Sequence, residues 1–242
     1  MPEFHTGELY RKSWAGDYFG RDGAIELAKT RCARVARDNT VEAYSGLSST
    51  YYSAAGHAYA RLRQTFSPHW AVRAWYCMQL AVDYSDKMVE NAGGVHALTV
   101  DQLDIRQSIY RKAAKMLFGK KRRREFTIEA LRCIRLGLDE KNAQGHARGL
   151  LLVGLIDIHT QKNPVSISAP HNIIREWIHE AHNIAEETAP DDPNQASRIF
   201  NGCAVGFERV GNSIFATKAR KRARELSEST GAKDQLLKQE AR

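Results

Sequence analysis

Residues 124–140 have the sequence REFTIEALRCIRLGLDE, in which apolar residues recur every three or four positions. The recurring apolar residues are Ile128, Leu131, Ile134 and Leu138. This spacing places them on one face of an α-helix. Similar amphipathic patterns continue to residue 231, with breaks at Asn142 and at prolines. A helix of this kind does not bury its apolar face alone. The stretch 124–231 therefore predicts antiparallel helix hairpins that stack on their neighbours as an α-solenoid.

The segments before residue 124 carry looser versions of the same pattern. Residues 40–66 predict one long helix, and Pro68 is well placed for the first turn of the next helix. Gly93 and Gly94 end that helix, and the spacing Thr99-x-x-Gln102 matches a capping box that opens another. In total, the sequence predicts an all-α fold of about ten helices without a credible strand.

The composition is that of a folded chain, since 43% of the 242 residues are hydrophobic and 26% are charged. We expect one helical-repeat domain over residues 1–230, with the best-matching repeats at 124–230. Residues 231–242 form a polar C-terminal tail in this interpretation.

Large aromatic residues follow the apolar side of the long helix predicted at residues 40–66. They are Tyr44, Tyr51, Tyr59 and Phe66. The three tyrosines are expected in the core because they share one helical face. Trp75 belongs to the apolar pattern of the next helix.

The last hairpins resemble tetratricopeptide repeats, which place small residues where paired helices cross. The matching positions are Cys203, Ala204, Phe207, Ala216 and Ala223 in the last unit, Ala130, Ile134 and Gly137 in an earlier one, and Ala185 with Pro190 at the close of another. The strict 34-residue period of the family is missing, and the loop 162–170 is longer than its usual loops. The resemblance implies a concave surface that grips a peptide segment or another protein.

The positive charge is concentrated in one segment. The net charge of the chain is +8, and residues 106–124 contain nine Lys or Arg residues and no Asp or Glu. The candidate binding residues are Arg111, Lys112, Lys115, Lys120, Lys121, Arg122, Arg123 and Arg124. The run 120–124 is predicted to lie between helices, where it either stays solvated or meets an anionic partner such as RNA.

A second basic cluster lies in the last hairpin. It contains Lys218, Lys221 and Arg222, together with Arg220 and Arg224. The spacing wraps around a helix, so some of these side chains must face solvent while Ala219 and Ala223 face inward. For both clusters, ordinary solubilising charge is the alternative interpretation.

One helix carries a metal-like pattern. Glu176-x-x-His179 projects a carboxylate and an imidazole to one side, and Glu180 and His182 follow. A carboxylate di-iron site needs a second such motif, which the sequence does not contain, so a solvated polar face is the favoured interpretation. Phosphate-binding glycine loops, G-x-S-x-G and His-Glu-x-x-His are missing too. The sequence predicts no catalytic residue, no metal and no cofactor.

The cysteines are spaced far apart, without a Cys-x-x-Cys pair, and each falls in an apolar helical pattern. They are Cys32, Cys77, Cys133 and Cys203. This pattern predicts buried free thiols.

The longest apolar stretch, residues 149–156, is far shorter than the ~20 residues needed to span a bilayer. The start of the chain has no apolar signal core. We therefore expect a cytoplasmic protein without a membrane partner. The preferred hypothesis is a non-catalytic scaffold or adaptor that binds a partner polypeptide on its helical-repeat surface. The alternative is an RNA- or ribosome-associated helical protein that binds a polyanion through residues 106–124.

Overall fold

The computed structural model describes residues 8–37, 39–116, 120–160 and 169–240, and omits the side chains of Tyr10, Trp14, Lys120 and residues 230–240. Over these ranges the chain forms ten α-helices and no strand. The helices are α1 (Glu8–Trp14), α2 (Ala24–Val35), α3 (Thr40–Thr65), α4 (Pro68–Ala92), α5 (Val100–Met116), α6 (Lys120–Arg135), α7 (Gly145–Thr160), α8 (His171–Thr188), α9 (Pro193–Arg209) and α10 (Ser213–Glu240). The predicted all-α class with about ten helices is confirmed.

The chain divides into two units, Met1–Ala130 and Leu131–Arg242, which we call the first unit and the second unit. In the first unit, α3 packs along α4, while α2 packs on α3 and α5 packs on both α3 and α4. In the second unit, α7 packs on α8 and α9, α8 packs on α9, and α9 packs on α10. Most of the apolar residues of these helices are thus covered by neighbouring helices of the same unit.

The long hairpin of α3 and α4 has the ends that the sequence predicts. The side chain of Asn39 accepts a hydrogen bond from the backbone N–H of Glu42 at 3.0 Å, which caps α3. At the other end Phe66 takes a left-handed conformation, with φ of 52°. Pro68 then occupies the first turn of α4, where its missing N–H costs no helical hydrogen bond.

Small side chains fill the space between α3 and α4. Buried residues along the two helices include Ala43, Ala54, Ala55, Ala58, Ala74 and Ala81. Such residues let two helix backbones approach closely. Among the tyrosines, Tyr51 is buried as predicted, and its ring stacks on Tyr84 with centroids 5.6 Å apart.

Helix α5 begins with the predicted capping box. The backbone N–H of Thr99 donates to Gln102 Oε1 at 2.9 Å, and the backbone N–H of Gln102 donates to Thr99 Oγ1 at 3.3 Å. These bonds satisfy amides that the start of a helix leaves without an intrahelical partner. The prediction of a helix start at this position is confirmed.

A buried arginine joins α5 to two other helices. The Arg106 side chain is only 6% exposed and donates to the Ser85 carbonyl oxygen at 2.9 Å, to Asp86 at 2.9 Å and to Glu129 at 3.1 Å. Its guanidinium also lies 4.4 Å from the centre of the Tyr110 ring. Because these partners belong to α4, α5 and α6, Arg106 fixes the three helices to one another.

The second unit has a continuous apolar core along α7, α8, α9 and α10. Helix α7 is buried over a wide arc, as its continuous apolar sequence predicts, and Leu151 and Ile156 are almost fully enclosed. Phe200 and Phe207 of α9 are also fully buried. Gly206 lets α9 approach its neighbours, since a Cβ atom there would lie 2.8 Å from the Ile156 side chain of α7. Close packing of α7 against α9 therefore depends on glycine.

The remaining predictions for the two units have mixed outcomes. All four cysteines are buried thiols that form no disulfide, as predicted. Asn142, with φ of 47°, ends the segment after α6, which includes a π-helical turn at Leu136–Glu140. Of the predicted loop 162–170, residues 162–168 lie outside the described residues. Helix α10 continues to Glu240, through most of the segment expected as a polar tail.

Candidate nucleic-acid interface

The end of α5 and the start of α6 lie side by side in an antiparallel hairpin. Arg106 of α5 contacts Glu129 of α6, and the rings of Tyr110 and Phe126 are 5.4 Å apart between centroids. The residue numbers increase along α5 as they decrease along α6. This register brings the basic residues 111–115 next to the basic residues 121–124.

The run 120–124 is helical, which corrects the prediction that it lies between helices. It forms the first turns of α6. Lys and Arg have high intrinsic helix propensity, so the run continues the helix of the apolar pattern that follows it. A cation at the start of a helix interacts unfavourably with the helix dipole, at a cost of roughly 0.3–1 kcal/mol for each charge. The run places five consecutive cations at this position. Local stability therefore does not explain this sequence.

The structure exposes most of the predicted binding residues. Lys115, Lys121, Arg122 and Arg124 are exposed, and Arg111, Lys112 and Arg123 are half-buried. Only the backbone of Lys120 is described. The predicted basic patch thus includes at least four side chains that face solvent on one hairpin end.

Tyr59 connects this hairpin end to α3. The Lys112 ammonium lies 5.9 Å from the centre of the Tyr59 ring, within the range of a cation–π contact. Tyr59 is 41% exposed, although the sequence pattern predicts it in the core. The pattern is wrong here because the last turns of α3 are largely exposed, whereas its middle is covered.

Phe66 directly follows the last residue of α3, seven positions after Tyr59. Phe66 is 83% exposed, and its left-handed backbone is uncommon for a residue other than glycine. A large apolar side chain at an exposed, left-handed position gains no burial. Strained non-glycine positions of this type are enriched at functional sites.

Helix α4 adds an exposed apolar stripe. Val72, Trp75 and Tyr76 are all exposed, and their spacing places them on adjoining positions of one helical side. Trp75 lies about three helical turns before Asp86, so it shares the face of α4 on which Asp86 contacts Arg106 of α5. The stripe therefore lies on the same side of the first unit as α5.

The two parts of the chain that contain Tyr59, Trp75 and Lys112 lack carboxylates. Residues 43–82 and 105–124 contain no Asp or Glu. The carboxylates of α3, α4 and α5 are Glu42, Asp83, Asp86, Glu90, Asp101 and Asp104. They lie at the start of α3, the end of α4 and the start of α5. Tyr59 and Lys112 lie toward the opposite ends of their own helices. We call the surface formed by residues 59–66, 72–76, 111–115 and 121–124 the basic end.

The second basic cluster, on α10, has acidic neighbours. Its ion pairs are Arg220 with Glu208, Lys221 with Glu225, and Arg222 with Glu186 and Glu225. The Lys218 ammonium lies 5.5 Å from the centre of the Phe215 ring. Because three of its cations pair with glutamates of α8, α9 and α10, this cluster has little charge left for a polyanion.

Glu176 and His179, which form the metal-like pattern on α8, are both exposed, and Glu180 and His182 are half-buried. The His179 and His182 rings contact Phe207 and Phe200, with centroids 5.5 and 5.1 Å apart. Glu180 accepts a hydrogen bond from Arg148 at 2.5 Å. Burial lowers the pKa of His182, an effect that Glu186 opposes. Within the described part of the chain, no three His, Cys, Asp or Glu side chains are grouped so that they could hold a metal ion.

An open groove of about 470 Å³ lies at α1 and α2. Its lining residues are Glu8, Lys12, Arg21, Asp22, Glu26, Leu27 and Thr30. Cations and carboxylates alternate around it, and Lys12 pairs with Glu8 and Asp17. The groove therefore has no dominant charge that would select a ligand.

Comparisons with known proteins found no match to a family model, to a curated protein or to a solved structure. Among the described helices, none is both long enough and apolar enough to span a bilayer.

Proposed function

We propose that this protein is a non-catalytic, cytoplasmic RNA-binding protein that holds its ligand at the basic end of the first unit. The observation that carries this proposal is the contact between Lys112 and Tyr59, which joins two carboxylate-free parts of the chain into one surface. Cationic side chains beside exposed aromatic rings are the combination that nucleic-acid-binding surfaces use for phosphates and bases.

The cations of the basic end would contact phosphates without reading base sequence. Each phosphate that is neutralised on a single strand releases counterions and contributes about −0.7 to the slope of log affinity against log salt. If about five phosphates are contacted, the slope is about −3.5. Binding of this kind weakens steeply between ~50 and ~200 mM salt.

A charge-removal experiment tests the proposal. Binding of a fluorescently labelled 20-nucleotide RNA is measured by anisotropy at several salt concentrations, for the unmodified protein and for a variant carrying Lys121→Ala, Arg122→Ala and Arg124→Ala. These side chains are exposed and lie on one hairpin end. We expect at least a tenfold loss of affinity at low salt and a slope that is less negative by about 2.

The matched control removes three cations from the second cluster, through Lys218→Ala, Lys221→Ala and Arg222→Ala. Both variants change the net charge by the same amount, so a general effect of charge would weaken RNA binding equally in the two. We expect the control to bind RNA nearly as well as the unmodified protein. Equal losses in the two variants, or binding that does not depend on salt, would refute the proposal.

A second function is favoured by the second unit, and we propose it as the alternative. Its helices pack in consecutive pairs, with α7 also contacting α9, which agrees with the tetratricopeptide-like solenoid that the sequence suggests. Ile214 and Phe215 at the start of α10 are exposed apolar residues. In this alternative the unit is a scaffold that binds a partner polypeptide.

Affinity capture from lysate, with and without nuclease, separates the two proposals. A protein partner that stays bound after nuclease treatment, and is lost with Ile214→Asp, supports the scaffold. Ile214 is suitable because it is exposed, so its replacement leaves the core intact. Capture that disappears with nuclease, and is unaffected by Ile214→Asp, supports RNA binding.

A further inference from the structure

Among the side chains that the structure describes in the first unit, four large aromatic ones are exposed, and all four fall in the carboxylate-free residues 43–82. They are Tyr59, Phe66, Trp75 and Tyr76. A single exposed apolar residue needs no explanation, but a group of them beside one charged surface does. Trp75 is the largest, and it is 46% exposed.

Trp70 of the same helix shows how this fold treats a structural tryptophan. Its ring lies 5.9 Å from Phe19 and 6.2 Å from His57 between centroids, and the Arg73 guanidinium lies 5.2 Å from it. Trp70 is therefore half-buried and has ring and cation partners on the protein itself. Trp75 lies on a different side of α4, where about half of its surface remains available to a ligand.

Helix α4 holds Trp75 on a rigid support. The neighbouring residues Ala74, Cys77 and Met78 are buried against the rest of the unit. The backbone that carries Trp75 is therefore fixed. Little conformational entropy is lost when a flat partner stacks on the ring. Low ordering cost is one source of affinity in preorganised sites.

The charge of the surroundings decides what kind of partner fits. A second copy of this chain would bring a second set of cations to the basic end and be repelled. RNA carries a phosphate for the cations and a base for the aromatic rings in every nucleotide, so it matches both components of the surface at once.

We infer that the basic end binds single-stranded RNA in preference to duplex RNA, because Trp75 and Tyr59 stack on unpaired bases. This inference rests on the RNA-binding function proposed above and adds the strand class. In an A-form duplex the bases are already stacked inside the helix, and its major groove is too deep and narrow for side chains to enter. Only the cations would contact a duplex, whereas both cations and rings would contact a single strand.

The test uses Trp75→Ala and two labelled ligands, a 20-nucleotide single strand of uridines and a 20-base-pair RNA duplex. We expect the variant to lose about tenfold or more in affinity for the single strand, which is the effect of removing one stacking platform. Affinity for the duplex and the salt slope for both ligands should stay unchanged. Trp75→Phe keeps a stacking ring and should restore most of the single-strand affinity.

The matched control is Phe215→Ala, which removes a similarly exposed aromatic ring from the second unit. It should leave binding of both ligands unchanged. Circular dichroism and urea unfolding check that the variants keep the fold.

The possible outcomes separate the inference from the function on which it rests. Equal losses for single strand and duplex, or no loss for either, would overturn the stacking role of Trp75. In that case a salt-dependent loss of RNA affinity in the variant with Lys121→Ala, Arg122→Ala and Arg124→Ala would still support RNA binding. An unmodified protein that binds neither ligand would overturn both proposals.

Discussion

In the second unit the phenylalanines Phe200 and Phe207 are fully buried, whereas in the first unit Phe66 and Trp75 face solvent. The second unit uses its aromatic residues to fill the space between α8, α9 and α10. The first unit packs its longest hairpin largely with alanine and buries Tyr51 there, but leaves Tyr59, Phe66 and Trp75 exposed. The difference lies in exposure, since Phe200 and Phe207 contribute to a core and Phe66 and Trp75 do not.

The two basic clusters differ in a parallel way. On α10, three cations meet glutamates that come from three helices. On the hairpin of α5 and α6, cations follow one another through residues 105–124 without an intervening carboxylate. A count of Lys and Arg in the sequence does not distinguish the two clusters. The ion pairs of α10 become visible only in the fold, since Glu186 and Glu208 belong to other helices.

The largest expected effect concerns the aromatic residues. Phe200→Ala should lower the free energy of unfolding by about 4 kcal/mol, since it leaves a cavity in a closely packed core. Trp75→Ala should cost less than about 1 kcal/mol because the ring is half exposed. Urea unfolding followed by circular dichroism measures both. Similar losses in the two variants would show that Trp75 is a core residue.

The next largest effect concerns the arginines. Arg106→Ala should cost about 3 kcal/mol, because it leaves Ser85, Asp86 and Glu129 without their buried partner. Arg220→Ala breaks an exposed pair with Glu208 and should cost less than about 1 kcal/mol. The same unfolding assay compares them. An Arg106 variant as stable as the Arg220 variant would contradict the assigned role of Arg106 in joining three helices.

Two helical glycines should respond with opposite signs. Gly202→Ala should destabilise the protein by about 1–2 kcal/mol, because its Cβ would overlap the Val153 side chain of α7, and the gain in helix propensity offsets only part of the strain. Gly56→Ala in α3 should stabilise by up to about 1 kcal/mol, since nothing lies within 4 Å of its Cβ position. Shifts of melting temperature in the same direction would contradict this comparison.

The smallest effect is a pH dependence in the second unit. Burial lowers the pKa of His182 below its ordinary value of 6.5, with Glu186 opposing the shift and His179 adding to it. The unfolded chain therefore binds more protons than the folded one as the pH falls below 6.5, so this contribution to stability is complete above 6.5 and declines in acid. Unfolding at several pH values should show a flatter profile for His182→Phe. An unchanged profile would exclude His182 as a cause.

Much of the fold follows from the sequence because helices are encoded locally. The recurrence of apolar residues at every third or fourth position predicts the all-α class. Pro68 and Asn142 mark element ends where the structure has them. The capping box at Thr99 and Gln102 is likewise a matter of neighbouring residues. Each of these signals acts within a few residues, so no knowledge of tertiary packing is needed.

The candidate site depends on packing and was predicted only in part. The cations of residues 111–124 are visible in the sequence, but helical periodicity places Tyr59 and Trp75 on apolar faces. Helical periodicity gives the direction of a side chain and not the point at which the neighbouring helix stops covering it. The pairing of Arg222 with Glu186 is also invisible in the sequence, since the two residues belong to different helices.

The separation of carboxylates from cations along α3, α4 and α5 gives the first unit a permanent dipole moment. A body of this kind rotates in the field of a polyanion and presents its positive pole before contact is made. Encounters then succeed in more orientations than random collision allows, which raises the association rate constant. Because salt screens the field beyond about 10 Å at 0.1 M, that rate constant should fall with ionic strength more steeply than the dissociation rate constant rises.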